Sequence, residues 1–548
     1  MLRVKNVITC ILCIAITICF VMGCGKNTSK QSRVIQVTNE EEFKTAIATA
    51  KPGAVIEVAD GDYKFDDSPL HISLKATNEE PILIRAKNLG KARFTGEYAM
   101  LIEESSYITI EGFTFNNRAL KNAVKDALPN QTYLESYRDP APKWGSLVLL
   151  NSDHCRLTSL FIKMEEKEGF TPEMIEMLLP RTHWINLTGG EYNRVDHCWM
   201  KDKVNAGLFI CIGTGEHHFR IDHNHFAGRP RGNGNGFEVI RLGTRGLSPL
   251  YGLIEYNLFE NCDGEGEIVS VKSDVLIIRN NTFTGCRGSL VIRCANDVTV
   301  EYNFFLNPKH KKGVGGVRIH GNNNNIINNY FGDLTGRSIL TYWGDFDNQP
   351  YYYDVHDRFF SYDRRAKAFA YPETGRAHLA FNTFAYCASF LHLGTYNKGK
   401  GYVLDKPPKD WTITNNLVVS TDKQFIRGEG ESGFRWMGNI FWNPGDACVL
   451  GRELPEEAVR VVDPKLTKSD DGLWRISKDS PAVNSTGHRR WQHLLWENRK
   501  DMDGQERDIN SELPRPAEWF VDVGADEYSD APIINRPLTP GDVGPNSL

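Results

Sequence analysis

The chain has 548 residues, and its 64 Lys and Arg against 69 Asp and Glu give a formal net charge of −5. With 41% hydrophobic and 24% charged residues, it has the composition of a globular protein. Collagen, disordered tails and strongly basic nucleic-acid binders are therefore excluded. Length alone would allow three or four domains of roughly 150 residues each, but β-solenoids run longer as single units.

The first 23 residues predict a bacterial secretory signal, since a basic start precedes an apolar run from residue 7 to residue 22. The sequence Val21-Met22-Gly23-Cys24 resembles a lipobox, in which Cys24 is lipidated and becomes the mature N-terminus. Residues 24–34 would then form a tether. The prediction is an exported lipoprotein, anchored to a membrane in the periplasm or at the cell surface. A plain signal peptide or an uncleaved anchor is the alternative.

One pattern recurs along the chain: an apolar residue, two variable residues, Asn, any residue, then Phe or another apolar residue. The Asn of this pattern stands at positions 224, 257, 281, 303, 329, 382, 416 and 439. Weaker copies are VDHCWM (195–200), IEGFTF (110–115) and LTSLFI (157–162). Most steps are 22 to 26 residues, which is a solenoid period, and each copy alternates like a short strand. We therefore predict an all-β, right-handed parallel β-helix whose Asn residues are structural.

The ends of the repeat set the predicted domain boundaries. Residues 40–65 read as a short amphipathic helix, a Pro-Gly turn and a strand, which would form an N-terminal helical cap. A single β-helix domain is predicted for residues 35–455, followed by a C-terminal cap and extension at 456–548. The segment from 119 to 182 departs from the period and predicts a lateral insertion. Cys262, Cys286 and Cys387 share one phase of the repeat, which favours buried free thiols over disulfides.

Polar residues gather in one band of four successive coils. Glu265 and Glu267, at positions i and i+2 of a strand, face the same side, where like charges repel unless a cation lies between them. Asn235, one coil earlier, can add a third oxygen, and such hard ligands suit Ca²⁺. A solvated acidic face is the alternative.

Lys272, Arg293 and Arg318 follow in the same band. Lys272 stands five residues after Glu267, which in a straight strand places it on the opposite face, so a bend between Ile268 and Val271 is required. A cation beside Lys and Arg suits an acidic sugar. The cation would neutralise the carboxylate of a uronic acid, Lys272 would abstract the acidified C5 proton, and Arg293 would assist departure of the 4-linked oxygen.

These residues lie in segments that resemble polysaccharide lyase family 6, the family of alginate lyases and chondroitinase B. The segments are NGFEVIRLGT (235–244), NLFENCDGEGEIVSVKS (257–273), GSLVIRCANDVTVEYNFF (288–305) and GGVRIHGNNNNIINNYF (315–331). The resemblance implies Ca²⁺ ligands at Asn235, Glu265 and Glu267, a catalytic base at Lys272 and an acid at Arg293. It also implies substrate contacts at Arg318 and, more weakly, at Arg241 and His320.

The sequence thus predicts a calcium-dependent lyase that cleaves an anionic polysaccharide by β-elimination, with alginate as the first choice. A dermatan sulfate or chondroitin lyase is the alternative. Two further readings stay open: a β-helix glycoside hydrolase, which would leave no double bond, and a surface solenoid that binds carbohydrate without cutting it. No nucleic-acid binding module is evident, so nucleic acid is not expected as a partner.

Overall fold

The computed structural model describes residues 34–65, 68–95, 99–117, 146–164, 182–243, 249–345, 371–399, 402–445, 447–486, 500–507 and 521–547. The signal segment and Cys24 lie outside these residues, so their assignment stays a prediction. Strands of successive coils pair in parallel throughout three long sheets, and the predicted parallel β-helix is confirmed. Among the described residues, no helix combines the length and apolar character needed to cross a membrane.

Most coils contribute one strand to each sheet in turn, and the described residues form 12 strands in sheet 1 and 14 each in sheets 2 and 3. Sheet 1 contains Leu70–Ile72, Met100–Glu103, Leu147–Leu150, Ile185–Thr188, Ile210–Ile212, Ile240–Leu242, Glu267–Val271, Gly288–Ile292, Val314–Ile319, Ile339–Leu340, Leu391–His392 and Ile426–Arg427. Sheet 2 contains Val34–Val37, Val55–Val58, Ile82–Ala86, Ile108–Glu111, Arg156–Thr158, Arg194–Asp196, Arg220–Asp222, Gly252–Glu255, Leu276–Arg279, Val298–Glu301, Asn325–Ile327, His378–Ala380, Thr412–Thr414 and Arg435–Met437. Sheet 3 contains Gly61–Tyr63, Ala92–Phe94, Thr114–Asn117, Phe161–Met164, Trp199–Lys201, His225–Arg229, Leu258–Cys262, Thr282–Thr284, Phe304–Leu306, Tyr330–Gly332, Thr383–Cys387, Leu417–Ser420, Asn439–Trp442 and Val459–Val461.

The repeated Asn residues form a buried ladder at the turn between sheets 2 and 3. Asn281 shows the pattern: its Nδ2 donates to the carbonyl oxygen of Ile254 at 3.0 Å and to Oδ1 of Asn303 at 2.9 Å. Its own Oδ1 accepts the backbone N–H of Asn257 at 3.0 Å. The side chains therefore satisfy backbone groups that the turn would leave unpaired inside the protein. This confirms that the ladder is structural.

Aromatic rings stack inside the ladder, one for each coil. Phe259 and Phe283 lie 4.4 Å apart between ring centroids, and Phe283 and Phe305 lie 4.8 Å apart, with interplanar angles of 6° and 5°. The strand spacing thus sets the ring spacing, and the apolar interior is continuous from coil to coil. Within the described residues, Cys262, Cys286 and Cys387 are buried free thiols, as predicted.

Part of the predicted insertion belongs to the β-helix itself. Residues 146–164 form three strands of an ordinary coil, while 119–145 and 165–181 lie outside the described residues. The repeat was obscured because Phe113, Leu160 and Cys198 occupy the ladder position in three consecutive coils, as their backbone contacts to the next coil show. An apolar residue fills the same space, but it lacks the amide that marks the later copies.

A short helix closes the N-terminal end, as predicted. The helix Glu40–Thr49 begins after Asn39, whose side chain accepts the backbone N–H of Glu42 at 2.9 Å. The buried face of the helix includes Phe43, whose ring lies 6.2 Å from that of Tyr63. The apolar interior of the first coils is therefore shielded from water at this end.

The C-terminal segment runs back along the side of the β-helix. The remaining short elements are Glu456–Ala458, a 3₁₀ turn, and two antiparallel pairs, Asn397–Gly399 with Tyr402–Leu404 and Thr467–Lys468 with Trp474–Arg475. Three backbone contacts fix the last part of this segment. The N–H of Ala525 donates to Oγ1 of Thr383, and the N–H of Leu538 donates to Oγ1 of Thr282. The N–H of Gly544 donates to the carbonyl oxygen of His223. Its contacts thus proceed from late coils to early ones.

Three buried carboxylates lie within this C-terminal segment. Asp501, Asp503 and Asp526 bring their oxygens within 4.8 Å of one another. Arg475 pairs with Asp503 at 2.8 Å, and Asp501 accepts backbone N–H groups of Gln505 and Glu527. The carboxylates of Asp501 and Asp503 therefore already have hydrogen-bond and ion-pair partners within the C-terminal segment.

A buried carboxyl at the corner between sheets 1 and 2 gives a prediction for stability. Glu216 has no exposed surface and accepts the Nδ2 of Asn193 at 2.9 Å and the backbone N–H of Gly190 at 3.1 Å. Burial penalises its charged form and raises the pKa of Glu216 to about 7. Since the folded state holds this proton more tightly than the unfolded state, the stability it contributes below about pH 4.5 is lost as the pH rises through 7.

Glu216→Gln should therefore flatten the pH dependence of stability. Between about pH 5 and about pH 9, the free energy of unfolding of the variant should gain about 3 kcal/mol relative to that of the native chain. Urea denaturation at the two pH values measures this difference. Parallel profiles for the two proteins would contradict it.

Candidate active site

The candidate site lies where the strands of sheet 1 end. Lys272, Arg293 and His320 directly follow the strands Glu267–Val271, Gly288–Ile292 and Val314–Ile319. The last residues of these strands, Val271, Ile292 and Ile319, are paired in register. The three side chains thus start from adjacent coils, about 4.8 Å apart.

A bulge places Lys272 on the same face as Glu267. The pairing of Glu267–Val271 with the next strand shifts between Glu267 and Val269, and both Ile268 and Val269 pack into the core. Glu267 therefore shares its outward face with Ser270, whose hydroxyl donates to Glu267 Oε2 at 2.5 Å. Lys272, two residues further, lies on that face as well. The bend that the sequence argument required is present.

Glu238 is the nearest acid to Lys272. Its Oε1 lies 3.6 Å from the Nζ of Lys272, and its side chain is only 5% exposed. Burial would raise the pKa of Glu238, but the charges of Lys272 and Arg241 outweigh it and lower that pKa. Glu265 has the opposite shift, because burial and the neighbouring Glu238 carboxylate raise its pKa. The two carboxyl groups therefore disfavour each other's charge, and the pKa of Glu265 is the one that is raised.

Glu267 is held by two guanidinium groups. Arg318 donates to its Oε1 at 2.6 Å, and the Nε of Arg293 lies 3.6 Å from the same oxygen. The guanidinium of Arg293 also lies 3.8 Å from the centroid of the Tyr371 ring. Arg293 is thus fixed between a carboxylate and an aromatic face.

His320 lies beneath this group with no exposed surface. Its ring centroid is 5.0 Å from that of Tyr371 and 6.0 Å from that of Tyr342. Burial and the charges of Arg318 and Arg293 lower the pKa of His320 well below its usual value, so the ring is neutral. A substrate contact at His320 stays a prediction, and its observed position is that of a support under Tyr371.

The remaining predicted residues, Asn235 and Arg241, come from the preceding coil. Asn235 is exposed in the bend that precedes the strand Ile240–Leu242 and, among the described residues, forms no hydrogen bond with Glu265 or Glu267. Arg241 lies in that strand in register with Ser270, and its Nη2 contacts the Sγ of Cys211 at 3.4 Å. The metal-binding and substrate-binding roles of both residues stay predictions.

The acidic side chains fit a divalent cation. The charges of both Glu238 and Glu267 raise the pKa of Glu265, which is the mutual repulsion that a cation would relieve. The Oε2 of Glu238 is buried and, within the described part of the chain, has no hydrogen-bond partner. Carboxylate oxygens are the ligands that Ca²⁺ prefers. Glu238 and Glu265 are therefore the carboxyl groups here whose charges a cation would compensate. Among the described residues, however, the acidic side chains that lie close enough to share one ion are Asp501, Asp503 and Asp526.

Sequence reasoning missed Glu238, Tyr342 and Tyr371. Glu238 stands three residues after Asn235 in NGFEV, and an acid just before a buried strand was the available signal. Tyr371 lies within the 53-residue step between Asn329 and Asn382, where the repeat gives no register. Its position beside Arg293 could come only from the folded chain.

Comparison with known families decides the assignment. A family model described as Chondroitinase B matches residues 37–342, more than half of the chain. The chain belongs to the chondroitinase B family. This confirms the predicted resemblance to polysaccharide lyase family 6 and supports the predicted class of enzyme, a polysaccharide lyase. The matched range contains every residue of the candidate site except Tyr371.

Solved structures share the fold of this chondroitinase B family member. The PL6 family alginate lyase AlyGC is 23% identical over 83% of this chain with a TM-score of 0.64, and the chain spans 58% of that protein. A mannuronic acid specific family 6 lyase from human gut microbiota is 22% identical, with 78% of this chain and 91% of that one covered and a TM-score of 0.60. The PL6 lyase Pedsa3628 from Pseudopedobacter saltans is 21% identical, with 93% and 99% covered and a TM-score of 0.57. Comparison with curated protein sequences gives no match.

Proposed function

We propose that this protein is a calcium-dependent lyase that cleaves a uronate-containing polysaccharide by β-elimination, with alginate as its substrate. The observation that carries the proposal is the placement of Lys272 and Arg293 on adjacent coils, Lys272 beside the carboxyl group of Glu238 and Arg293 beside that of Glu267. A base, a fixed guanidinium and a cation-binding acid cluster are the groups that removal of a proton next to a carboxylate requires.

The side chains take distinct roles in this reaction. Lys272, in its neutral form, accepts the C5 proton of the uronate. Arg293, held by Glu267 and Tyr371, faces the charge that develops and assists departure of the 4-linked oxygen. Arg318, which donates to Glu267, has further N–H groups with which it would contact the carboxylate of the bound sugar. A Ca²⁺ ion held by Glu265 with Glu267, Glu238 or Asn235 would neutralise that carboxylate and make the C5 proton more acidic.

The choice of alginate rests on the similar structures, which include alginate lyases and a mannuronic acid specific enzyme. Dermatan sulfate is the second candidate, because the matching family model is described as Chondroitinase B. The proposal also includes export and lipidation at Cys24. Recovery of the full-length protein, but not of a chain that starts after Cys24, in the membrane fraction would support that part.

A single assay separates these possibilities. The mature protein is incubated with alginate and, separately, with dermatan sulfate, with Ca²⁺ and then with a chelator, while ultraviolet absorbance reports the conjugated double bond. We expect a rise with alginate that the chelator suppresses at least ten-fold. New reducing ends without absorbance would instead indicate hydrolysis, and a chelator-insensitive rise would contradict the role of the metal.

A further inference from the structure

A buried arginine stands at the start of the segment that carries Asn235 and Glu238. Arg229 is the last residue of the strand His225–Arg229 and is only 1% exposed. In the next coil its register position is held by Cys262, a buried thiol. Arg229 thus places a charge at an interior position that the following coil fills with an uncharged residue. Such a charge can be buried only where hydrogen-bond partners meet it.

The partners of Arg229 are backbone carbonyl groups from two coils. Its Nη1 donates to the carbonyl oxygen of Glu238 at 2.5 Å. Its Nη2 donates to the carbonyl oxygen of Gly207 at 2.6 Å and to that of Asn205 at 3.1 Å. A guanidinium group presents its N–H donors in one plane, so a single side chain can bind all three carbonyl groups. Arg229 therefore joins the backbone of Glu238 to the preceding coil.

Two aromatic rings and two glycines enclose the side chain of Arg229. Its guanidinium carbon lies 5.4 Å from the centroid of the Phe209 ring and 5.3 Å from that of the Phe237 ring. Gly232 lies against the Phe237 ring, where a Cβ atom would come within 2.3 Å of the ring atoms. Gly264, from the next coil, lies against the stem of Arg229, where a Cβ atom would come within 2.8 Å of Cδ. The surrounding residues therefore fix the position of the guanidinium group.

The segment that Arg229 joins to the preceding coil lengthens its own coil. Asn224 and Asn257 of the ladder are 33 residues apart, whereas Asn257 and Asn281 are 24 residues apart. A longer connecting segment loses more conformational entropy when it is ordered, so it requires contacts of its own. The hydrogen bond from Arg229 to Glu238 spans nine residues of this segment. It thus fixes the far end of the segment, where Glu238 stands.

Glu238 is the residue through which Arg229 can affect the chemistry. The Oε1 of Glu238 lies 3.6 Å from the Nζ of Lys272. Its backbone carbonyl is the group that Arg229 binds. A shift of this backbone would move the carboxylate away from Lys272, and a displacement of about 1 Å can cost about a hundred-fold in rate.

We propose, on the basis of the function proposed above, that Arg229 is a positioning residue that acts through Glu238. Its guanidinium group fixes the backbone of Glu238, and the carboxylate of Glu238 in turn holds the amine of Lys272 where a proton is to be removed. Arg229 is buried, so it does not contact the polysaccharide. Its loss should therefore affect the rate of the reaction and not the binding of the polymer.

The first test compares Arg229→Lys with the native chain on alginate. The variant keeps a buried positive charge but lacks the planar group that binds three carbonyls. We expect kcat to fall about ten-fold while KM stays within about two-fold, because a misplaced group slows the chemical step. Arg231→Lys changes an exposed Arg of the same segment, is the matched control and should alter neither constant. A native kcat in Arg229→Lys would overturn the proposal.

A double variant tests the route through Glu238. Glu238→Gln leaves the backbone carbonyl in place and removes the charge beside Lys272. If Arg229 acts by placing that carboxylate, adding Arg229→Lys to the Glu238→Gln protein should lower kcat by less than about two-fold further. A further loss of about ten-fold would show independent effects of the two residues and would overturn this route.

Amide hydrogen exchange separates this inference from the proposed reaction, since it needs no substrate. In Arg229→Lys protein, exchange should rise about ten-fold in the peptide 231–239 and stay unchanged in peptides from the other coils. Phe237→Leu, a milder variant that removes one ring beside the guanidinium group, should raise exchange in the same peptide. These results would support the inference even if no polymer gave an unsaturated product, an outcome that would remove only the proposed lyase. Unchanged exchange in this peptide, or an equal rise in all coils, would overturn the positioning role.

Discussion

Lys272→Ala should lower the rate of unsaturated-product formation by about a thousand-fold or more, with binding of the polymer retained. The reason is that general base catalysis contributes about 10²–10⁴ to such proton transfers, and no other amine stands beside Glu238 among the described residues. The ultraviolet assay measures the rate, and affinity electrophoresis measures binding. An unimpaired variant would remove Lys272 from the mechanism.

Two controls separate chemistry from structure at this position. Lys272→Arg keeps a positive charge beside Glu238, but its guanidinium does not lose a proton near neutral pH, so it should be as inactive as the Ala variant. Lys163→Ala removes an exposed Lys from the strand Phe161–Met164 and should retain full activity. Recovery of activity by Lys272→Arg would indicate that the ion pair with Glu238, and not proton transfer, is what matters.

Asn281→Ala should lower the free energy of unfolding by about 3–5 kcal/mol, the largest effect on stability that we expect from one side chain. The variant leaves the backbone N–H of Asn257 and the carbonyl of Ile254 buried without their partners, at about 1–3 kcal/mol each, and it interrupts the ladder to Asn303. Urea denaturation followed by circular dichroism measures the loss.

Asn325→Ala is the matched control for the ladder. Asn325 is a partly exposed Asn in sheet 2, and its side chain makes a hydrogen bond of 3.4 Å to Thr299. Its replacement should cost less than about 1 kcal/mol. Equal losses in the two variants would mean that the ladder contributes nothing beyond the removal of any Asn.

The fold was predictable because most coils of the β-helix use the same residue type, Asn, at the turn between sheets 2 and 3. Asn224 and its successors recur since each turn leaves the same backbone groups to satisfy, and one sequence suffices to see that. Coils that use Phe113 or Leu160 at this position fill the same space without the amide. Their copies of the pattern are therefore weak, and residues 146–164 were included in the predicted insertion although 157–162 resembled the repeat. The repeat is visible in the sequence where successive coils use the same residue type for the same contact. It is lost where a coil uses another residue type.

The candidate site was predictable only in part. The repeat brought Glu267, Lys272 and Arg293 into one band, but side-chain parity alone placed Lys272 on the wrong face. The bulge at Ile268 corrects this, and a bulge depends on the pairing of two strands rather than on either sequence. Tyr371 lies in a coil that is longer than the repeat. Its position relative to Arg293 therefore could not be predicted from the sequence.

The C-terminal segment changes how such a solenoid can come apart. A stack of repeats in which each touches only its neighbours can fray from an end, one unit at a time. Here the stretch from Ala525 to Gly544 joins the coil of Thr383 to that of His223. The late coils cannot unfold separately while this stretch remains bound to the early coils. The protein thereby couples repeats that are distant in the stack, and its unfolding becomes more nearly all-or-none.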